Sequence, residues 1–282
     1  MPELPEVEVL VRHLAPRLKN KMIRGVHVRR ARVLRPTRPA ELQRVLTGAR
    51  FVSLVRRAKY LSFTFRRDDG RTFLLIGHLG MTGRMFLQPA DAPLPKHTAV
   101  VLDLDEENFV FEDTRYFGRF TLDTSMQERL GPEPLGDGFS FEYFTRALKR
   151  SAQAIKVKLL DQSLVAGLGN IYACESLFHA RVSPRLAACK LTRAQRERLW
   201  SAVRKTLADA IRFGSSMPLD WPGAGELDGL FYYGRAAGAR GQQEPLRVYD
   251  REGQPCPVCQ TPIRRIVQAG RSTFYCPRCQ QT

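Results

Sequence analysis

The chain has 282 residues, long enough for two domains with real cores. Its 45 lysines and arginines against 28 acids leave a net charge of +17 at pH 7, with 43% hydrophobic residues. That balance fits a globular protein attracted to polyanions; no run approaches the ~20 apolar residues of a membrane helix.

The chain begins MPELPEVEVL, with acids at Glu3, Glu6 and Glu8 and no apolar core of a secretion signal, so a cytoplasmic protein is expected. Leu4, Val7, Leu10, Val11 and Leu14 have helical spacing, and Pro5 suits a first turn. Pro2 sits just before this helix. From about 24 to 123 the pattern is of short strands. Runs at 51–55, 60–65, 72–76, 100–104 and 108–111 are β-branched or aromatic, with turn signals at 68–70 and 105–107. Strands without intervening helices predict an antiparallel sandwich or barrel.

Residues 131–138, GPEPLGDG, read as a linker. Helices are expected at 141–150, 153–161 and 170–179, the last after Gly167 and Gly169. The best-marked helix starts after Thr192. Thr192 and Gln195 make a capping-box pattern, Trp200, Val203, Leu207 and Ile211 an apolar stripe, and Gly214 a plausible stop. Residues 214–245 are rich in Gly, Ala and Pro and read as a long loop.

Cys256, Cys259, Cys276 and Cys279 form two C-x-x-C knuckles with sixteen residues between them. This is zinc-ribbon spacing. Four thiolates close a tetrahedron, so one structural Zn2+ is expected, a pair of disulfides being the plainer alternative. No organic cofactor is indicated. Cys174 and Cys189 read as ordinary small side chains. Nucleic acid is the expected partner because arginines recur throughout the chain; a basic surface kept for solubility is the alternative.

Several motifs together resemble the formamidopyrimidine-DNA glycosylases, a family that also contains the endonuclease VIII enzymes. They are PELPEVE from Pro2, RRAKYL from Arg56, HLGMTG from His78, DTRYFG from Asp113, DQSLVAGLGNIYA from Asp161, and the cysteine knuckles. The resemblance implies an α+β multidomain fold: an antiparallel β-sandwich with flanking helices, then a helix–two-turn–helix domain and a zinc-finger hairpin. The expected boundaries are 1–130 for the sandwich, 131–140 for the linker, 141–245 for the helical domain with a lesion-covering loop, and 246–282 for the finger. DNA would run across a cleft between the halves. The resemblance further implies a bacterial, monomeric enzyme acting on damaged double-stranded DNA, with no membrane partner. It would excise oxidised purines and then cleave the strand by β,δ-elimination.

The resemblance assigns roles residue by residue. Pro2, freed of Met1, is the amine nucleophile. Glu3 is the general acid, although either residue alone reads as the opening of a helix. Glu6 reads as capping and positioning. Lys59, His78, Asn170, Tyr249 and Arg271 match phosphate-contacting positions, with Lys59 and Arg271 placed beside the chemistry. From its own context Arg271 reads equally as a solvated hairpin residue. Met81, Arg115 and Phe117 match the side chains that fill the gap left by a flipped nucleotide; without the motif, Met81 and Phe117 read as core. Tyr116 departs from the pattern, standing where a basic residue is usual. The alternatives are an oxidised-pyrimidine enzyme of the endonuclease VIII type and a non-catalytic zinc-finger DNA-binding protein on the same scaffold.

Overall fold

The computed structural model describes residues 2–215 and 246–281. The expectations for the long loop, including the lesion-covering segment, lie outside the described residues apart from its first two positions. The described chain forms two compact units, residues 2–128 and residues 129–213 with 246–281.

The first unit opens with α1, Leu4–Leu18, whose Leu4, Val7, Leu10, Val11 and Leu14 are buried as their spacing predicts. Eight strands follow: β1 Gly25–Val28, β2 Arg50–Arg57, β3 Tyr60–Arg66, β4 Thr72–His78, β5 Gly83–Pro89, β6 Thr98–Asp103, β7 Glu107–Asp113 and β8 Arg119–Thr121. A helix, α2 (Pro39–Leu46), precedes β2. The strands make two antiparallel four-stranded sheets, in the orders β1-β6-β7-β5 and β2-β3-β4-β8.

The core lies between the sheets. Phe63 on β3 meets Phe109 on β7 edge to face at 5.7 Å, and Phe51, Phe65, Phe111 and Phe120 complete a buried aromatic cluster. The two turn signals sit where expected. Gly70 has φ +83 in the β3–β4 connection, and Asp105 has φ +74 between β6 and β7.

The second unit begins with the Gly-Pro stretch, which is fastened down along its length. The Gly131 amide donates to Gln162 O, Pro132 O accepts from Ala166 N, and Arg204 donates to Pro134 O and Gly136 O. Gly131 packs so closely on the Ser163 carbonyl that a side chain there would collide with it. Four helices follow: α3 Phe141–Lys149, α4 Ile155–Leu159, α5 Asn170–His179 and α6 Arg193–Ser215. Both hydrogen bonds of the Thr192–Gln195 capping box form, at 2.8 and 3.2 Å. Gly214 does not stop α6, which continues to Ser215.

A hairpin of β9 (Arg264–Gln268) and β10 (Arg271–Tyr275) closes the unit. Its turn residues Ala269 and Gly270 have φ +48 and +71, as a two-residue primed turn requires.

Candidate active site and metal centre

In the first unit, Pro2 is buried beside Glu3, which is 1% exposed, at the N-terminus of α1. The Glu6 carboxylate accepts the Glu3 amide at 2.8 Å, so Glu6 caps the helix and fixes the chain just after Pro2. Two residues on, Glu8 reaches β2. Arg56 donates to Glu8 at 2.7 Å and to Ala58 O at 3.2 Å. Burial pushes the Glu8 carboxyl up, but the hydrogen bonds and charges of Arg56 and Arg12 outweigh it and hold the group below its ordinary range. This chain of contacts ties α1 to the tight β2–β3 turn, Ala58–Lys59, in which Ala58 has φ +54. Lys59 therefore sits at a turn braced from the start of the chain.

His78 ends β4 directly across from Tyr60, with ring centroids 4.8 Å apart. Its Nδ1 accepts the Gly80 amide at 3.0 Å. Burial pushes its pKa down to about 4, with the charges of Lys59 and Arg119 acting the same way. The ring is neutral near pH 7. With Nδ1 occupied as an acceptor, the proton resides on Nε2, which becomes a donor.

Met81 and Phe117 are 42% and 49% exposed, so neither is a core residue. Arg115 Nη1 lies 3.6 Å from Met81 Sδ, which brings the trio's loops together. Asp113 holds them there. Fully buried, it accepts from Thr82 Oγ1 at 2.6 Å, Gly118 N at 2.8 Å and Arg115 N at 3.1 Å. Gly80 makes the approach possible: a Cβ there would lie 2.6 Å from Gly118 N. Asp113 opens the DTRYFG motif, but the motif alone gives no sign of this organising role.

In the second unit, Asn170 is the first residue of α5, after Gly167 at φ +88. Its Nδ2 donates to Ser272 O at 2.8 Å, linking the helix start to the finger hairpin beside the exposed Arg271. The Tyr249 ring packs edge to face on Phe274 at 5.2 Å. Sequence reasoning missed the residue that positions Tyr249. Glu175, 3% exposed, accepts the amides of Arg247, Val248 and Tyr249 at 2.8, 2.9 and 2.9 Å. Burial pushes its carboxyl up, and the three N–H donors pull the other way. The available signal was a lone acid within the buried run Ile171–Phe178 of α5.

The four knuckle cysteines place their sulfurs within 4.8 Å of one another. Cys256 and Cys279 are 3.8 Å apart and Cys259 and Cys276 3.4 Å, too far for disulfides. A tetrahedron with ~2.3 Å zinc–sulfur bonds has edges of about 3.8 Å, so the set fits Zn2+. The Val258 and Cys279 amides each lie 3.4 Å from a ligand sulfur, Cys256 and Cys276 respectively, and offset thiolate charge. Burial and the neighbouring sulfurs raise the Cys279 thiol when no cation is present, a penalty that a bound cation reverses. Cys174 and Cys189 stand outside this group.

A β-sandwich with a buried Pro-Glu start, together with a helical unit carrying a four-cysteine finger, defines a two-unit α+β zinc-finger protein. Residues 1–120 match the formamidopyrimidine-DNA glycosylase N-terminal domain and residues 130–218 its H2TH (helix–two-turn–helix) domain. Residues 253–282 match the zinc finger found in FPG and IleRS. The chain is 41% identical to the formamidopyrimidine-DNA glycosylase of Dinoroseobacter shibae, with all of both chains covered. It is 41% identical to that of Thermus thermophilus, covering 99% of this chain and 98% of the relative. A Lactococcus lactis FPG in complex with Fapy-dG-containing DNA superposes with a TM-score of 0.85 at 31% identity, covering 99% of this chain and all of the other. MutM in complex with carbocyclic 8-oxo-G-containing DNA gives 0.85 at 32%, with both chains fully covered. The protein belongs to the formamidopyrimidine-DNA glycosylase family. Among the described residues, no helix is long and apolar enough to cross a membrane.

Proposed function

We propose that this protein is a base-excision repair enzyme that removes oxidised purines from duplex DNA and then cleaves the strand. The observation that carries this reading is the buried Pro2–Glu3 pair at the N-terminus of α1. An α-amino group has a pKa of about 7.7–8.0, and the positive end of a helix lowers it further. Once Met1 is removed, a useful fraction of the Pro2 amine is neutral near pH 7.

The amine attacks C1′ of the flipped nucleotide. The C1′–base bond breaks, and the base leaves with its electron pair and takes up a proton. Glu3 protonates the sugar ring oxygen as the ring opens, leaving an iminium between Pro2 and C1′. That iminium acidifies C2′. Loss of a C2′ proton expels the 3′ phosphate, a second elimination expels the 5′ phosphate, and water then releases the amine.

Lys59, His78, Asn170, Tyr249 and Arg271 hold phosphates around the lesion, His78 through its neutral Nε2–H donor. Met81 and Phe117 replace lost stacking and Arg115 faces the orphaned base. Their exposure and the Asp113 brace support this assignment. Cys256, Cys259, Cys276 and Cys279 hold Zn2+, which stiffens the finger and takes no part in the reaction. The protein acts as a monomer in the bacterial cytoplasm, at the nucleoid.

The test is borohydride trapping of the Met1-free chain on duplexes carrying 8-oxoguanine, formamidopyrimidine or thymine glycol. Trapping is expected on the two purine lesions. Preferential trapping on thymine glycol would move the protein to the endonuclease VIII type. No trapping on any lesion or on an abasic site would leave a non-catalytic DNA-binding protein.

A further inference from the structure

No acidic residue occurs between Glu8 and Glu41. Within that stretch, Arg29, Arg30, Arg32, Arg35 and Arg38 are all exposed. Among the described residues, none of the five guanidinium groups is paired with a carboxylate; Arg38 meets Glu41 through its backbone amide alone. Arginines nearer the start of the chain are neutralised instead: Arg12 pairs with Glu8, Arg17 with Glu107, and Arg24 with Asp105. An unpaired cationic strip repels itself, so its retention calls for an anionic partner.

The strip is rigidly held. The amides of Arg29 and Arg30 both donate to Ala99 O on β6, at 2.8 and 3.1 Å. Val33 and Leu34 are fully buried beneath it. Thr37 Oγ1 lies 2.8 Å from Thr121 Oγ1 and accepts the Leu122 amide at 2.9 Å, which fastens the strip to β8. Strand β8 begins two residues after Phe117.

The strip also touches the Arg115–Phe117 loop directly. Arg30 Nε donates to the Tyr116 hydroxyl at 3.2 Å, and its guanidinium lies 5.6 Å from the Tyr116 ring centroid. Tyr116 is held at φ +53, a conformation uncommon for an aromatic residue. Arg30 Nη1 donates to Arg29 O at 3.1 Å. Among the described residues, Nη2 of this planar group has no hydrogen-bond partner, a geometry suited to phosphate.

We infer that the arginine strip 29–38 is a second DNA-backbone surface, continuous with the loop of Arg115 and Phe117, and that Tyr116 serves as the bracket that aims Arg30 at a phosphodiester. The surface grips duplex flanking the lesion through its phosphates, contacts that position the protein and carry no sequence information directly. This inference rests on the reading of the protein as one that binds damaged duplex DNA.

The experiment measures the salt dependence of binding to a duplex with a central tetrahydrofuran abasic analogue, by fluorescence anisotropy. The chains are wild type, Arg30→Gln, Tyr116→Phe, the triple variant Arg32→Gln, Arg35→Gln, Arg38→Gln, and Arg24→Gln. The last removes the same charge from a paired arginine at the far end of β1. Each lost phosphate contact flattens the plot of log K against log salt by about 0.9. Arg30→Gln is expected to flatten it by about one unit, the triple variant by about two to three, Tyr116→Phe by less than one, and Arg24→Gln not at all. Slopes for Arg30→Gln and the triple variant that match Arg24→Gln would overturn the inference. Wild-type borohydride trapping on a lesion duplex is scored separately. Trapping with unchanged slopes removes only the strip, whereas flattened slopes without trapping remove only the catalytic reading.

Discussion

Replacing Glu175 by glutamine keeps the shape of the side chain and removes its charge. In the structure one carboxylate oxygen serves the amides of Val248 and Tyr249, and the other serves Arg247. Glutamine offers a single carbonyl oxygen, so its NH2 must face at least one of these backbone N–H groups, at the least the part-buried one of Arg247. Leaving that donor without an acceptor costs about 1–3 kcal/mol. The bonds that survive lose charge assistance, roughly half their strength. A total near ~3 kcal/mol corresponds to roughly a hundredfold increase in local opening of this segment. Amide hydrogen exchange, followed by mass spectrometry on peptides spanning 246–250, reads that opening directly. Protection should fall by about two orders of magnitude there and stay unchanged in β2–β4 of the first unit. Wild-type protection at 247–249 in the variant would refute the anchoring role.

Three further outcomes follow from the same geometry. The His78 ring should titrate by NMR with a midpoint near 4. Between its ordinary value of 6.5 and that midpoint the unfolded chain binds the proton and the folded one does not, so stability falls as pH drops through this window; a midpoint near 6.5 would contradict the burial argument. Asp113→Asn should loosen both loops of the Met81, Arg115 and Phe117 group and raise KM for damaged duplex about tenfold, on the loss of a charged acceptor worth ~1–3 kcal/mol; an unchanged KM would show that the loops hold without it. Cys276→Ser should abolish zinc by elemental analysis and expose the hairpin to exchange; full zinc content would refute the four-sulfur site.

Much of this was legible because single residues carried strong local signals. The capping box at Thr192, the apolar spacing from Leu4 to Leu14 and the knuckle cysteines each depend on neighbours within a few turns of chain. Strands β1 and β8 were missed because four and three residues hold too little alternation to register. Strand β5 was missed because Arg84 and Gln88 interrupt its apolar run; their partners, Glu112 on β7 and Ala92 O, come from the fold. Gly214 looked like a stop because glycine commonly ends helices, yet α6 runs past it.

The candidate site divides the same way. Motif residues such as Pro2, Lys59, His78 and Arg271 could be named from the chain. The residues that position them could not, since Arg56 acts through Glu8 across 48 positions and Glu175 acts on Tyr249 across 74. Nor could Arg30, whose bracket at Tyr116 lies 86 positions away.

In the proposed reaction the Pro2 amine attacks the sugar. This step is tested most directly by reducing the complex with 8-oxoguanine DNA, digesting both components and locating the linked residue by mass spectrometry. A single linkage on the N-terminal nitrogen of Pro2 is expected in chains lacking Met1, and none in chains that retain it. A linkage on Lys59 or another lysine, or equal trapping of the Met1-bearing chain, would contradict it.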